Sequence, residues 1–233
     1  MRPKMEWIVP FIMVLFLAGM ILLFARLVFK TSSFITKNRI LSSGVQTAES
    51  VEALMCACFG VRNVFANIYI PLEDRDAESR HVYRVADDIV ILKTGIAVVK
   101  VVTKKGEFDA TDPMIWNVII RDIYGNVSRD IMDNPVRSNL ACAAALAKML
   151  RRDGCADIKV YNFVVFTSEK TSVNVNFDEI FSPSDAVEKM AQLDRDKKAM
   201  RLKKRTVRKC VSKYRAASNA LKKKLASRRV SIE

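Results

Sequence analysis

Asp87 and Asp88 stand side by side within Val82–Phe108, VYRVADDIVILKTGIAVVKVVTKKGEF, a stretch that is otherwise largely apolar and β-branched. A carboxylate inside a buried strand is costly unless it is paired, hydrogen-bonded or holding a cation, so chemistry is looked for here first. Strand alternation separates the two acids: if Asp87 faces a site, Asp88 faces the other side of the sheet. For Asp88 the expectation is a salt bridge to an edge or covering helix. His81 is the only histidine, which excludes His-based triads and multi-histidine metal sites, and it follows a charged loop as a solvated residue would. Cys56-x-Cys58 lies on a helical pattern that sends the two thiols to different faces, without partner cysteines at finger spacing, so no zinc site is expected. Trp116 reads as a packing residue. The sequence has no glycine-rich phosphate loop, no Gly-x-Ser-x-Gly and no kinase signature.

The elements that must position Asp87 follow from pattern. Its own stretch reads as a buried hairpin broken at Lys93-Thr94-Gly95, the glycine supplying the turn, with a further turn at Lys104-Lys105-Gly106. Val45–Phe59 repeats apolar residues at helical spacing, and Val61–Pro71 reads as a strand ending at proline. Glu107–Ala110 and Trp116–Arg121 read as short strands, with a turn at Tyr124-Gly125-Asn126. Asn134-Pro135 supplies an N-cap and first turn for a helix running to Arg152, and Gly154 stops it. Ile158–Phe166 has the composition of a central strand, Ser172–Phe177 of another, and the chain is helical from Ser184.

The Asp87 hairpin resembles that of the nuclease-related domain (NERD) family, which belongs to the restriction-endonuclease-like group. The likeness is carried by Asp87, by Gly95-Ile96 eight residues on, by Val98-Val99 and by Lys105-Gly106. Gly44, Ala48 and Glu49 resemble the family's opening helix, whose glutamate points toward the strand Asp. Asn134-Pro135 resembles its Asn-Pro-x-x-Gln element, with Ser138 at the glutamine position. The likeness extends roughly from Gly44 to Asp194. The family's Glu-x-Lys is missing: counted from Gly95, its glutamate falls on Lys100 and its lysine on Val102. In an active relative two carboxylates and a backbone carbonyl hold a hard cation, and a lysine serves the attacking water. Here the resemblance leaves Glu49 and Asp87 as carboxylates and puts an ammonium where the metal belongs. The expected outcome is an Asp87–Lys100 ion pair in place of the metal, in a vestigial site of Glu49, Asp87 and Lys100. No cofactor is expected. The alternative is a Mg²⁺-dependent nuclease with a rearranged site, Lys104 or Lys105 standing in for the missing lysine.

Charge and hydropathy define the appendages. Of 39 Lys and Arg, sixteen fall between Arg195 and Arg229 against one acid, Asp196, which leaves 23 basic and 24 acidic residues elsewhere. The body is therefore near neutral and the tail carries the field. Trp7–Phe29 is almost wholly apolar and long enough to cross a bilayer core, and basic residues after it exceed those before it. A single-pass anchor in the cell membrane with the main domain in the cytoplasm is expected, consistent with five irregularly spaced cysteines (Cys56, Cys58, Cys142, Cys155, Cys210).

These observations give an α/β fold: a restriction-endonuclease-like mixed sheet flanked by helices, with an N-terminal transmembrane helix and a basic C-terminal helix. Residues 1–30 are the anchor, 31–43 a linker, 44–194 the nuclease-related domain and 195–233 the tail. Lys203, Lys204, Arg205, Arg208, Lys209, Lys222, Lys223 and Lys224 are the candidate contacts to nucleic acid or anionic lipid. Met200, Val207, Cys210, Tyr214, Leu221 and Leu225 form a narrow stripe that would dip into the membrane interface. The expected function is a membrane-anchored, inactive binding or scaffolding module, and another alternative is a membrane-surface adaptor acting through the basic helix alone.

Overall fold

The computed structural model describes residues 12–24, 47–71, 83–122, 124–155, 158–168, 171–196 and 203–230. Residues 12–24 form a helix, α1, whose large apolar side chains are all exposed. Among the described residues no helix is long and apolar enough to cross a membrane. The rest of the expected span lies outside the described residues, as does His81.

The body begins with α2 (Ala48–Phe59), started by a capping box in which Thr47 and Ser50 exchange side-chain to backbone hydrogen bonds. A single 3-10 turn leads into β1 (Val64–Pro71), followed by β2 (Tyr83–Ile91) and β3 (Gly95–Val102). These strands join β7 (Lys159–Phe166) and β9 (Ile180–Phe181) in a five-stranded mixed sheet of order β1-β2-β3-β7-β9. The first pairings are antiparallel, and β3 runs parallel to β7 as β7 does to β9. A second sheet of order β6-β5-β4-β8 contains β4 (Gly106–Asp109), β5 (Ile115–Arg121), β6 (Val127–Asp133) and β8 (Thr171–Val173). In chain order each strand of the parallel pair β3–β7 is followed by one strand of the parallel pair β4–β8, the first pair lying in the first sheet and the second in the second.

Helices cover both faces of the first sheet. On one face, α3 (Pro135–Arg152) and α5 (Lys204–Val230) pack Leu146, Leu150, Val207, Val211 and Tyr214 against Ile68, Ile89, Ile96 and Val98. On the other, α2 and α4 (Pro183–Arg195) pack Val51, Leu54, Met55, Val187 and Met190 against Val90, Ala97, Val99 and Val165. A third cluster, containing Trp116, Phe108 and Phe166, fills the inner face of the second sheet. The mixed sheet flanked by helices is the α/β arrangement expected from the sequence.

Two details revise sequence expectations. Gly95 does not supply a left-handed turn; a Cβ there would lie 2.4 Å from the Lys159 carbonyl and 2.5 Å from the Tyr161 ring, so the glycine allows β7 to approach β3. Met200 and the side chain of Leu225 lie outside the described residues, and the described part of the α5 stripe does not face outward. Val207, Val211 and Tyr214 are buried in the first core, and Ser218 is 2% exposed.

Candidate functional site

The site lies where the first sheet forks. The β2–β3 ladder runs from Ile91–Ile96 to Asp88–Val99 and stops. Beyond it, β2 stays with β1 as far as Tyr83 while β3 stays with β7 as far as Val102. Asn67, in the gap that the β1–β2 register leaves between Ala66–Asp88 and Ile68–Ala86, has a left-handed φ of 55°, a conformation asparagine tolerates better than most residues. Core membership slips by one residue here: Phe65 and Ile68, three apart, share a core, and so do Ala86 and Ile89. The local twist breaks strict alternation and leaves Asp87 at the mouth of the fork.

Both carboxylate oxygens of Asp87 are engaged. Lys100 Nζ donates to Oδ1 at 3.2 Å and lies 3.1 Å from Oδ2, while the Val101 N–H donates to Oδ2 at 2.8 Å. The Val101 amide, released from the ladder by the fork, thus finds its acceptor in a side chain. The pair is partly exposed, at 21% for the Asp87 side chain and 33% for that of Lys100.

Three neighbours that the sequence reading did not assign to the site complete this cluster. Arg84, on β2, donates through a terminal guanidinium nitrogen to Ser138 Oγ in the first turn of α3, and its Nε is buried without a partner. Cys142, one helical turn further, is buried, and burial is the main cause of a thiol pushed up to about 11, with Arg84 and Lys100 opposing and Asp87 reinforcing that shift. Underneath, the Asn139 side-chain amide ties α3 to the sheet through the carbonyls of Val98 and Phe163 and through Asn162 Oδ1. Arg84 was the legible signal, a cation within the apolar strand three residues before Asp87.

Glu49 does not join the cluster. It is exposed in the first turn of α2, where its own backbone N–H and then the Thr47 side chain hold its carboxyl below the usual range. Glu52, three residues on in α2, is half-buried and close enough to Asp88 for its charge to act there. Asp88 is 2% exposed with Oδ1 unpartnered. Burial, then the charges of Glu52 and Asp87, raise its carboxyl to about 7. The salt bridge expected for Asp88 is therefore replaced by a buried acid facing another acid.

The donor set does not suit a hard divalent cation. Lys100 brings an ammonium to Asp87, Asp87 already has partners on both oxygens, and Val102 is 4% exposed in the third core. Among the described residues no group of three or more His, Cys, Asp or Glu could hold a metal ion.

The basic residues of the tail fall into two sets. Lys204 reaches Asp194 and the Ile91 carbonyl, Arg208 reaches Asn63, and Lys222 lies over the Tyr69 ring, all clamping α5 to the body. Lys203, Arg205, Lys209 and Lys223 are exposed. The side chain of Lys224 lies outside the described residues.

A family model described as nuclease-related domain matches residues 47–167, more than half of the chain. No curated protein and no solved structure matches. The match spans α2 to the end of β7 and so includes Asp87, the fork and the Asn-capped α3. The chain belongs to the nuclease-related domain family, and its mixed sheet is consistent with the restriction-endonuclease-like superfamily.

Proposed function

We propose that this chain is a membrane-anchored nuclease-related domain that has exchanged its metal chemistry for an internal ion pair and acts as a binding or scaffolding module. The observation that carries the reading is the chelation of Asp87 by Lys100 and the Val101 amide. A cation entering there would have to displace an ammonium ion already bound to the carboxylate, and would find an arginine and a lysine rather than acids around it. Coulomb repulsion opposes that entry. Without a metal-activated water, the Asp87–Lys100 pair supplies no activated nucleophile for a phosphodiester.

The anchoring half of the proposal rests on α1, a run of apolar side chains with nothing from the body covering them. In water such a surface is unfavourable; in lipid it is not. The nuclease half is tested by incubating the full chain in detergent with plasmid and Mg²⁺ or Mn²⁺. No nicking is expected. Metal-dependent nicking that Asp87→Asn abolishes would instead establish a working nuclease with a rearranged site.

A further inference from the structure

We infer that the outer face of α5 is an electrostatic docking surface for anionic phospholipid headgroups, one that rests on the membrane without inserting into it. The proposal builds on the anchoring reading above, which keeps the body beside a bilayer.

From Lys204 to Val230 the sequence contains no acid. The structure sorts the helix into an inner and an outer side. The inner side is fully used: Val207, Val211, Tyr214 and Ser218 are buried, and Ser218 Oγ accepts the Tyr69 N–H at 2.9 Å. The Tyr214 hydroxyl donates to Asp153 at 3.0 Å, and on the flank the largely exposed Lys213 lies 3.5 Å from the same carboxylate. Arg205, Lys209 and Lys223 project from the opposite side and are exposed. They span about 27 Å along a straight helix. Among the described residues none of the large exposed hydrophobics lies on α5. An amphipathic helix enters a membrane interface through its apolar face, and here that face is spent on the sheet. What remains is positive charge held in a fixed row. Such a row gains its attraction from the negative surface potential of a leaflet and loses it within a Debye length or in high salt. Nucleic acid is also a polyanion, but only lipid answers both the exposed apolar α1 and the cationic face of α5.

The full chain is reconstituted into nanodiscs of phosphatidylcholine alone or of phosphatidylcholine mixed with phosphatidylserine, and acetylation of Lys209 and Lys223 is followed by mass spectrometry. Acetylation in the anionic discs should be slowed by about fivefold or more, with the difference erased by high salt. In the variant Arg205→Glu/Lys209→Glu/Lys223→Glu, which changes only exposed positions, the same difference read at Lys213 should vanish while the melting temperature is kept. Equal rates in the two discs would overturn the proposal. So would protection by duplex DNA in neutral discs with none from phosphatidylserine, which would assign the face to nucleic acid. If the chain fails to enter discs yet binds anionic vesicles in a salt-sensitive way, the anchor is wrong and the docking face stands.

Discussion

Lys100 is the charged partner of Asp87 at the fork. Its ammonium ion and the Val101 amide together satisfy a carboxylate that the fork would otherwise leave at the mouth of the sheet. Removing the ammonium by Lys100→Met leaves Asp87 one partner and partial solvent, so the cost should fall below that of a fully buried pair, on the order of 2 kcal/mol. Asp87→Asn in the same chain should recover much of it, because the carboxamide no longer needs a counter-charge. A double-mutant cycle in urea measures the coupling, and strictly additive losses would show that the pair contributes nothing. Restoring Glu-x-Lys is less simple than the sequence suggests. Val102→Lys would place an ammonium among Val164 and Phe166 in the third core.

Asp88 supplies a second test at the same scale. Its folded carboxyl titrates near 7 against an ordinary value of 3.8. Between these values the unfolded chain gives up its proton and the folded chain keeps it. Stability should therefore fall as pH rises from about 4 to about 7 and level off above, and the cost is absent below the unfolded value. Asp88→Asn mimics the protonated acid. Its advantage over the parent should grow from pH 5 to pH 8, toward an upper limit of roughly 4 kcal/mol. Denaturant melts across that range read it directly, and a constant difference would mean that Asp88 ionises normally. Sequence located both acids and separated their environments, since apolar flanks and alternation are local properties. It could not show that Glu52 acts on Asp88 while Glu49 stays exposed, because the start of α2 and its rotation are fixed by the Thr47 cap and by packing against β1 and β2.

At the scale of elements, α5 is the piece whose role changes most between sequence and structure. Periodicity showed one apolar stripe on a cationic helix, and periodicity alone cannot say whether lipid or protein covers it. The covering surface is β1, the edge strand of the first sheet. Unpaired edge amides invite aggregation, and Ser218 answers one of them by accepting the Tyr69 N–H. At the start of the helix, burial raises the Asp194 carboxyl, but the Lys93 amide and the charges of Lys204 and Lys93 outweigh it and hold it below its usual range. Ser218→Ala should cost about 1 to 2 kcal/mol, the penalty of a buried amide left without an acceptor. Faster hydrogen exchange at Tyr69, with that at Val99 unchanged, would localise the loss to the edge; an unaltered Tyr69 rate would mean that the amide finds another partner. The central strands and α3 were legible because their signals are dense: long apolar runs, an Asn-Pro start, a glycine stop. β6 was not. Its sequence, VSRDIMD, is largely exposed on an edge strand, so no buried face imposes alternation on it, and the two-residue β9 is too short to leave a pattern.

For the whole molecule, a near-neutral body carries an apolar helix at one end and a cationic helix at the other, and only the second is built into the fold. This asymmetry decides how the protein should leave a membrane. Were the outer cationic face of α5 the sole attachment, high salt alone would release the protein, since its apolar side stays packed on β1. With α1 as the attachment, neither salt nor alkali reaches the apolar contact, since burial in hydrocarbon is independent of ionic strength and of carboxylate or lysine titration. The full chain should therefore remain in the membrane pellet through both high salt and carbonate. A chain beginning near Ser42 retains every described element from α2 to α5 and should be recovered soluble with an unchanged thermal transition; membrane retention of that shorter chain in carbonate would move the anchor from the N-terminus to the body.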